Sequence, residues 1–205
     1  MPHRVDIDSI HQNSFLLLNI AYGAKEFARS HDLASDDDYP ITGGYYVGWL
    51  KYTLSEKLID TAIKTRIVLD MIRAEEKRYE EDGEKYVVDS RDLDKKISSK
   101  YNIAGVVEGD AEITVRECCN KIIHALDIQP IYEDGDDDHY LDEESETKRE
   151  WKYWDGSLDL SGLKGQEEWH FELHVSDFCT ALEELVSELE GSVDWQSLHY
   201  DDDAF

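Results

Sequence analysis

The sequence is poor in the residues that build covalent or metal-bound frameworks. Its 205 residues include three cysteines, Cys118, Cys119 and Cys179, and no Cys-x-x-Cys pair. This scarcity excludes a disulfide framework and argues against a structural zinc site. Because Cys118 and Cys119 are neighbours, their side chains would point in different directions on a helix. We therefore expect all three to be small core residues in a reducing compartment.

Long apolar runs are also lacking. The longest run near the N-terminus, Phe15 to Leu18, spans four residues and follows acidic residues rather than a basic segment. A signal peptide and a membrane span both need longer runs, so neither is predicted, and the expected location is the cytoplasm. The glycines at 43, 44, 162 and 165 lack the spacing of a phosphate-binding loop, and no cofactor is predicted.

Basic side chains are scarce relative to acidic ones. The chain has 21 Lys and Arg against 48 Asp and Glu, a net charge of −27. Residues 126 to 205 hold 25 acidic and 4 basic side chains, a net charge of −21, which leaves −6 for residues 1 to 125. Because phosphate contacts need Lys and Arg, we expect any nucleic-acid contact to involve the first part of the chain.

The patterned segments predict a mainly α fold. Apolar residues recur at three- and four-residue intervals over 14–30 and 45–80. Two strand candidates, 151–160 and 169–175, predict an antiparallel β-hairpin with one buried aromatic face, and the second alternates apolar and polar residues. We predict one domain over residues 1–205, with a helical core (10–130), an acidic loop (131–150), the β-hairpin (151–175) and a final bundle helix (176–191).

The acidic segment from Glu133 to Glu150 has no periodic apolar set, which is typical of a solvated loop. Asp134, Asp136 and Asp138 alternate as calcium ligands can, so a calcium loop is the alternative interpretation. The segment lacks the glycine and the terminal glutamate that complete an EF-hand loop. No metal site is predicted.

A polar stripe lies on a predicted helix over residues 115–126. Thr114 and Glu117 have the spacing of a capping box, which predicts the start of this helix, and Pro130 forbids its continuation. Arg116, Asn120 and His124 recur every fourth residue, so they fall within about 80° of one another on the helix surface. An apolar seam is expected on another side of the same helix, formed by Val115, Cys119, Ile122 and Leu126.

Arg, Asn and His are the residue types that hold a phosphodiester, position it and move a proton near neutral pH. His124 would act as a general base or acid, Arg116 would neutralise charge on the phosphate, and Asn120 would orient the reacting groups. The alternative is structural. Arg116 would pair with an acid such as Glu112 or Glu117, and Asn120 and His124 would satisfy polar groups within a bundle.

The segment from Arg116 to Ala125, RECCNKIIHA, resembles the motif of the HEPN superfamily of small helical proteins. The resemblance implies a helical bundle over roughly residues 10–130 and a homodimer whose two motif helices line one cleft. It also implies a metal-independent endoribonuclease of a toxin–antitoxin or antiviral defence system. In that family the arginine usually stands directly before Asn or Asp, whereas here Cys119 occupies that place and Arg116 lies farther from His124. Lys121 could supply the displaced positive charge.

Two further functions fit the sequence. A catalytically inactive HEPN-like scaffold would show the same displaced arginine. An acidic interaction protein, including a nucleic-acid mimic, would occupy the basic groove of an enzyme because regularly spaced carboxylates imitate phosphates. The predicted partners are accordingly RNA, a cognate antitoxin, a basic enzyme or a second copy of the chain, and no membrane.

Overall fold

The computed structural model describes residues 6–30, 43–84, 86–107, 113–135, 152–193 and 195. These residues form five helices and one four-stranded antiparallel sheet. The prediction of a mainly α fold is confirmed. The acidic segment beyond position 135, with Asp136 and Asp138, lies outside the described residues.

Helices α1 (Ile7–Ser30) and α2 (Gly43–Glu81) are the two longest. Helix α1 begins before the predicted 14–30, because Asp6 accepts a hydrogen bond from the Ser9 amide at 3.2 Å and caps the first turn. One face of α2 is buried, as its periodicity predicts. Ile63 and Ile67 also follow the helical periodicity of this segment, but they are exposed on the opposite side of α2.

Two short helices follow, α3 (Ser90–Ser98) and α4 (Val115–His124). The Asp89 side chain caps α3 by accepting from the amides of Arg91 and Asp92. The Thr114 hydroxyl caps α4 by accepting from the Glu117 amide at 3.2 Å, as the capping box predicts.

The boundary predicted at residue 126 is wrong, since α4 ends at His124. The Leu126 amide donates to the Ser161 carbonyl oxygen at 2.8 Å, which draws the chain into a strand. Leu126 was predicted to belong to the apolar seam of α4 and is 73% exposed. Val115, Cys119 and Ile122 of that seam are fully buried.

The sheet contains β1 (Ala104–Val107), β2 (Asp127–Asp134), β3 (Lys152–Lys164) and β4 (Glu167–His174), in the order β1-β4-β3-β2. The predicted hairpin over 151–175 corresponds to β3 and β4. The hairpin is part of a larger sheet than predicted, because β1 pairs with β4 and β2 with β3. The predicted helical core 10–130 thus contains β1 and the start of β2, and the predicted loop 131–150 begins inside β2.

One face of the sheet is buried against helices. Trp169, Phe171 and Leu173 of β4 point into the core, whereas His170 is exposed. Helices α1, α4 and α5 (Val175–Ser192) all contact β3, and α5 corresponds to the predicted final helix. One cluster of buried side chains draws on all five helices and on strands β2, β3 and β4. No described helix is long and apolar enough to cross a membrane.

Candidate functional site

The start of α4 is fixed by a buried carboxylate of α3. Asp94 is 4% exposed and accepts from the amides of Val115 at 2.9 Å and Arg116 at 3.1 Å. It also accepts from the Ser98 hydroxyl at 2.9 Å. The first amides of a helix have no partner within the helix, so this carboxylate stabilises α4 and sets its orientation.

The end of α4 is fixed against the hairpin. A Cβ atom at Gly162 would lie 2.8 Å from the His124 carbonyl oxygen and 2.3 Å from the Trp169 ring. Only a residue without a side chain lets α4 and the indole approach β3 so closely. The Lys121 ammonium lies 4.4 Å from the centroid of the Trp169 ring, within the range of a cation–π contact. Lys121, the candidate phosphate-binding residue, is therefore held at the sheet.

Arg116 is paired with an acid, although not with one near it in sequence. Its guanidinium forms a hydrogen-bonded ion pair with Asp70 of α2. Asp70 also accepts from Arg66 at 3.4 Å, so one carboxylate is shared by two guanidinium groups. A guanidinium has five N–H donors, and the contact with Asp70 leaves others of Arg116 available.

The other two stripe residues differ in their surroundings. The Asn120 amide donates to the Glu117 carboxylate at 3.1 Å, so Glu117 is engaged by Asn120 within α4. The His124 side chain is exposed at the last residue of α4 and makes no hydrogen bond or ion pair with any residue that the structure describes. Its imidazole is open to a ligand or a partner.

Arg116 and Asn120 line a cleft of about 300 Å³ between α2, α3 and α4, whereas His124 lies outside it. We call this the cation cleft, because four basic side chains line it against two acidic ones, Asp94 and Glu117. Leu69, Ser90 and Thr114 complete its wall. The basic residues are Arg73 of α2, Arg91 and Lys95 of α3, and Arg116 of α4.

The sequence pattern of α4 places its three stripe residues on one helix, but it does not identify their neighbours. Arg73 is one of several charges on α2 that the sequence presents as a solvated face. Its meeting with Arg91 and Arg116 depends on how three helices pack, which no local spacing records. Asp70 and Asp94 are missed for the same reason.

Neither a cluster of metal ligands nor a reactive thiol is present in the described part of the chain. No three His, Cys, Asp or Glu side chains converge there as metal ligands would. The three cysteines are free and buried, and burial raises the pKa of each thiol. A thiol with a raised pKa is a poor nucleophile, so these residues serve the core.

No family model matches the chain, and neither the curated proteins nor the solved structures contain a match to it.

Proposed function

We propose that the protein is a HEPN-like endoribonuclease that binds RNA along α4 and cleaves it without a metal ion. The observation that carries this proposal is the cation cleft. In a chain of net charge −27, four basic side chains converge in this cleft, and one of them is Arg116. A polynucleotide needs positive charge at its phosphates, and this cleft provides it on the same helix that carries an unengaged histidine.

The proposed reaction is a transfer within the RNA strand. His124 takes the proton of a ribose 2′-hydroxyl, and the 2′-oxygen attacks the adjacent phosphorus. The bond to the 5′-oxygen of the next nucleotide breaks, that oxygen takes a proton from water, and His124 returns its own proton to the solvent. The products are a 2′,3′-cyclic phosphate and a 5′-hydroxyl end. Arg116 and Lys121 neutralise charge that develops on the phosphate, and Asn120 orients it.

The proposed active form is a homodimer, as the HEPN resemblance implies. Helix α2 exposes a stripe of Tyr52, Ile59, Ile63 and Ile67, each between 38% and 68% exposed, which we call the α2 stripe. At about 100° per residue these side chains fall within about 80° of one another, and Asp70 continues the same face. A dimer formed through the α2 stripe would bring both Arg116–Asp70 pairs beside the interface. The proposed setting is a toxin–antitoxin or antiviral system with a cognate antitoxin.

Two contacts favour a second candidate function. Asp70 pairs with Arg116, and Glu117 accepts from Asn120, so the Arg116 and Asn120 side chains already have partners. An inactive HEPN-like scaffold, or an acidic protein that binds a basic enzyme as a nucleic-acid mimic, needs neither group free. Residues 126 to 205 hold 25 acidic side chains and only 4 basic ones, which supports binding to a basic partner.

The test is cleavage of a mixed-sequence RNA by the purified protein in EDTA. Wild type is compared with His124→Ala, Arg116→Ala and, as the matched control, His170→Ala, an exposed histidine of β4 outside the cleft. We expect His124→Ala and Arg116→Ala each to lose at least about 100-fold in rate, because general acid–base catalysis and stabilisation of developing charge each typically contribute that much. His170→Ala should cleave as wild type does. Folded proteins that all fail to cleave would reject the nuclease and favour the scaffold.

A further inference from the structure

The charge balance of the cation cleft is the reverse of that of the whole chain. Acidic residues outnumber basic ones 48 to 21 overall, whereas the cleft is lined by four basic and two acidic side chains. Arg91 and Lys95 are four residues apart and therefore share one face of α3. Arg73 and Arg116 reach the same space from α2 and α4.

The two acids of the cleft each accept hydrogen bonds from neutral groups. Asp94 accepts from two amides at the start of α4 and from Ser98, so its charge faces the positive end of that helix. Glu117 accepts from Asn120. Among the residues that the structure describes, neither Arg73 nor Arg91 has an ion-pair partner. Although Arg116 is paired with Asp70, the guanidinium groups of Arg73 and Arg91 therefore hold positive charge in the cleft that no ion pair among the described residues neutralises.

A ligand in this cleft would be held by side chains rather than by helix ends. The amides that open α3 are taken, because the Ser90 amide donates to Glu76 at 2.7 Å and the next two donate to Asp89. The amides that open α4 are taken by Asp94 and Thr114. The available donors are therefore guanidinium groups, whose paired N–H groups match the oxygen atoms of a phosphate.

We propose that the cation cleft binds a phosphate monoester, the group carried by a nucleotide or by the end of an RNA strand. A monoester carries about −1.5 to −2 charges near neutral pH, more than the single charge of a backbone phosphodiester, and so suits the excess charge of the cleft. The volume of about 300 Å³ is at the small end of the range for ligand pockets. The site shares Arg116 and Asn120 with the proposed nuclease but does not require cleavage or His124.

The test is calorimetric titration of the full chain with adenosine 5′-monophosphate, inorganic phosphate and adenosine. The variant Arg73→Gln with Arg91→Gln removes two charges from α2 and α3 inside the cleft. The control variant, Lys77→Gln with Lys96→Gln, removes two charges from the same helices outside it. Both double variants have the same net charge, so a general electrostatic effect would weaken binding equally in both.

We expect the monophosphate and inorganic phosphate to bind and adenosine not to bind. The cleft variant should bind the monophosphate about tenfold or more weakly, while the control variant and His124→Ala bind as wild type does. Equal binding of adenosine and its monophosphate, or equal weakening in both double variants, would overturn the proposal. Circular dichroism of each variant establishes that it is folded.

A second set of titrations distinguishes a nucleotide from the end of an RNA strand as the source of the phosphate. An oligoribonucleotide with a 5′-phosphate is compared with the same strand ending in a 5′-hydroxyl and with the free monophosphate. Tighter binding of the phosphorylated strand than of the free monophosphate assigns the site to an RNA end, and equal binding assigns it to a nucleotide. Equal binding of the phosphorylated and hydroxyl strands, with no binding of the monophosphate, contradicts the site. Because these titrations measure binding alone, their outcome does not depend on cleavage.

Discussion

Gly162 lies where α4, the Trp169 ring and strand β3 approach one another. Its missing side chain leaves room for the indole and for the last carbonyl oxygen of α4. A methyl group there would overlap with both, and neither is the end of a flexible side chain. The contact is thus a steric requirement on a single residue.

We therefore expect Gly162→Ala to lower the free energy of unfolding by about 1–3 kcal/mol, the usual cost of overpacking a filled core. Urea denaturation measures the change. Gly191→Ala is the control, because a Cβ atom at that helical glycine meets nothing within 4 Å and should leave stability unchanged or slightly raised. Equal midpoints for the wild type and Gly162→Ala would show that α4 can shift away from the sheet without cost.

The sequence predicts the polar stripe of α4 but not the residues that its side chains contact. The capping box and the spacing of Arg116, Asn120 and His124 are local, and a helix fixes their geometry. Asp70 lies 46 residues from Arg116, so the ion pair between them depends on the packing of α2 against α4. Lys121 makes its cation–π contact with Trp169, which likewise belongs to a different element.

Among the elements, α1 and α5 are joined by a histidine between two carboxylates. His11 Nδ1 lies 2.6 Å from Glu183 and its Nε2 lies 3.0 Å from Glu190. Burial by itself lowers the pKa of His11, but the hydrogen bonds and charges of the two glutamates outweigh it and raise the pKa above its ordinary value. A raised pKa in the folded state means that protonated His11 stabilises the fold.

This contact predicts a pH-dependent contribution to stability. It is fully present below the ordinary histidine pKa of about 6.5 and is lost as the pH rises through the higher folded value. The difference in unfolding free energy between wild type and His11→Gln should therefore shrink over the interval in which the pH rises above about 6.5. Chemical denaturation at several pH values measures it, with His170→Gln as the control at an exposed position. A difference that stays constant or grows over this interval would rule out the ionic contact.

The elements that the sequence predicts are those with a strong local pattern. Helix α2, helix α5 and the alternating residues of β4 each carry their own periodicity. Strand β2 carries none, because its eight residues, DIQPIYED, include three acids and a proline. Proline is tolerated there because β2 is an edge strand, and one side of its backbone has no neighbouring strand. Pairing with β3 makes it a strand, and that pairing is a property of the whole sheet.

At the scale of the whole molecule, the α2 stripe is an exposed apolar feature that runs for about 22 Å at 1.5 Å per residue. Single exposed apolar residues are common, but several on one helix face are typical of an interaction surface, and exposed Glu56 between Tyr52 and Ile59 is the charged residue among them. A second copy could cover it by packing stripe against stripe, since a twofold interface uses the same surface on both partners.

If the proposed homodimer forms through the α2 stripe, we expect Ile63→Asp to dissociate it at micromolar concentration, because the change places a charge among the apolar side chains of the stripe. Sedimentation velocity measures the mass of the particle. Leu163→Asp, at an exposed leucine near the end of β3, introduces the same charge outside the α2 stripe and should leave the mass unchanged. A wild-type protein that sediments as a monomer at all concentrations would contradict the homodimer.

The position of Gly162 and Trp169 also has a consequence for the order of synthesis. Four helices precede the hairpin in the chain, yet the last turn of α4 is held in place by Ser161, Gly162 and Trp169, which are made after it. Chains emerge from the ribosome N-terminus first, and early segments begin to fold before later ones exist. A nascent chain that has released only α1 to α4 therefore lacks the support for His124 and Lys121. If the chain cleaves RNA, its activity is delayed until translation is nearly complete, and the messenger RNA that is being translated is not cleaved before then.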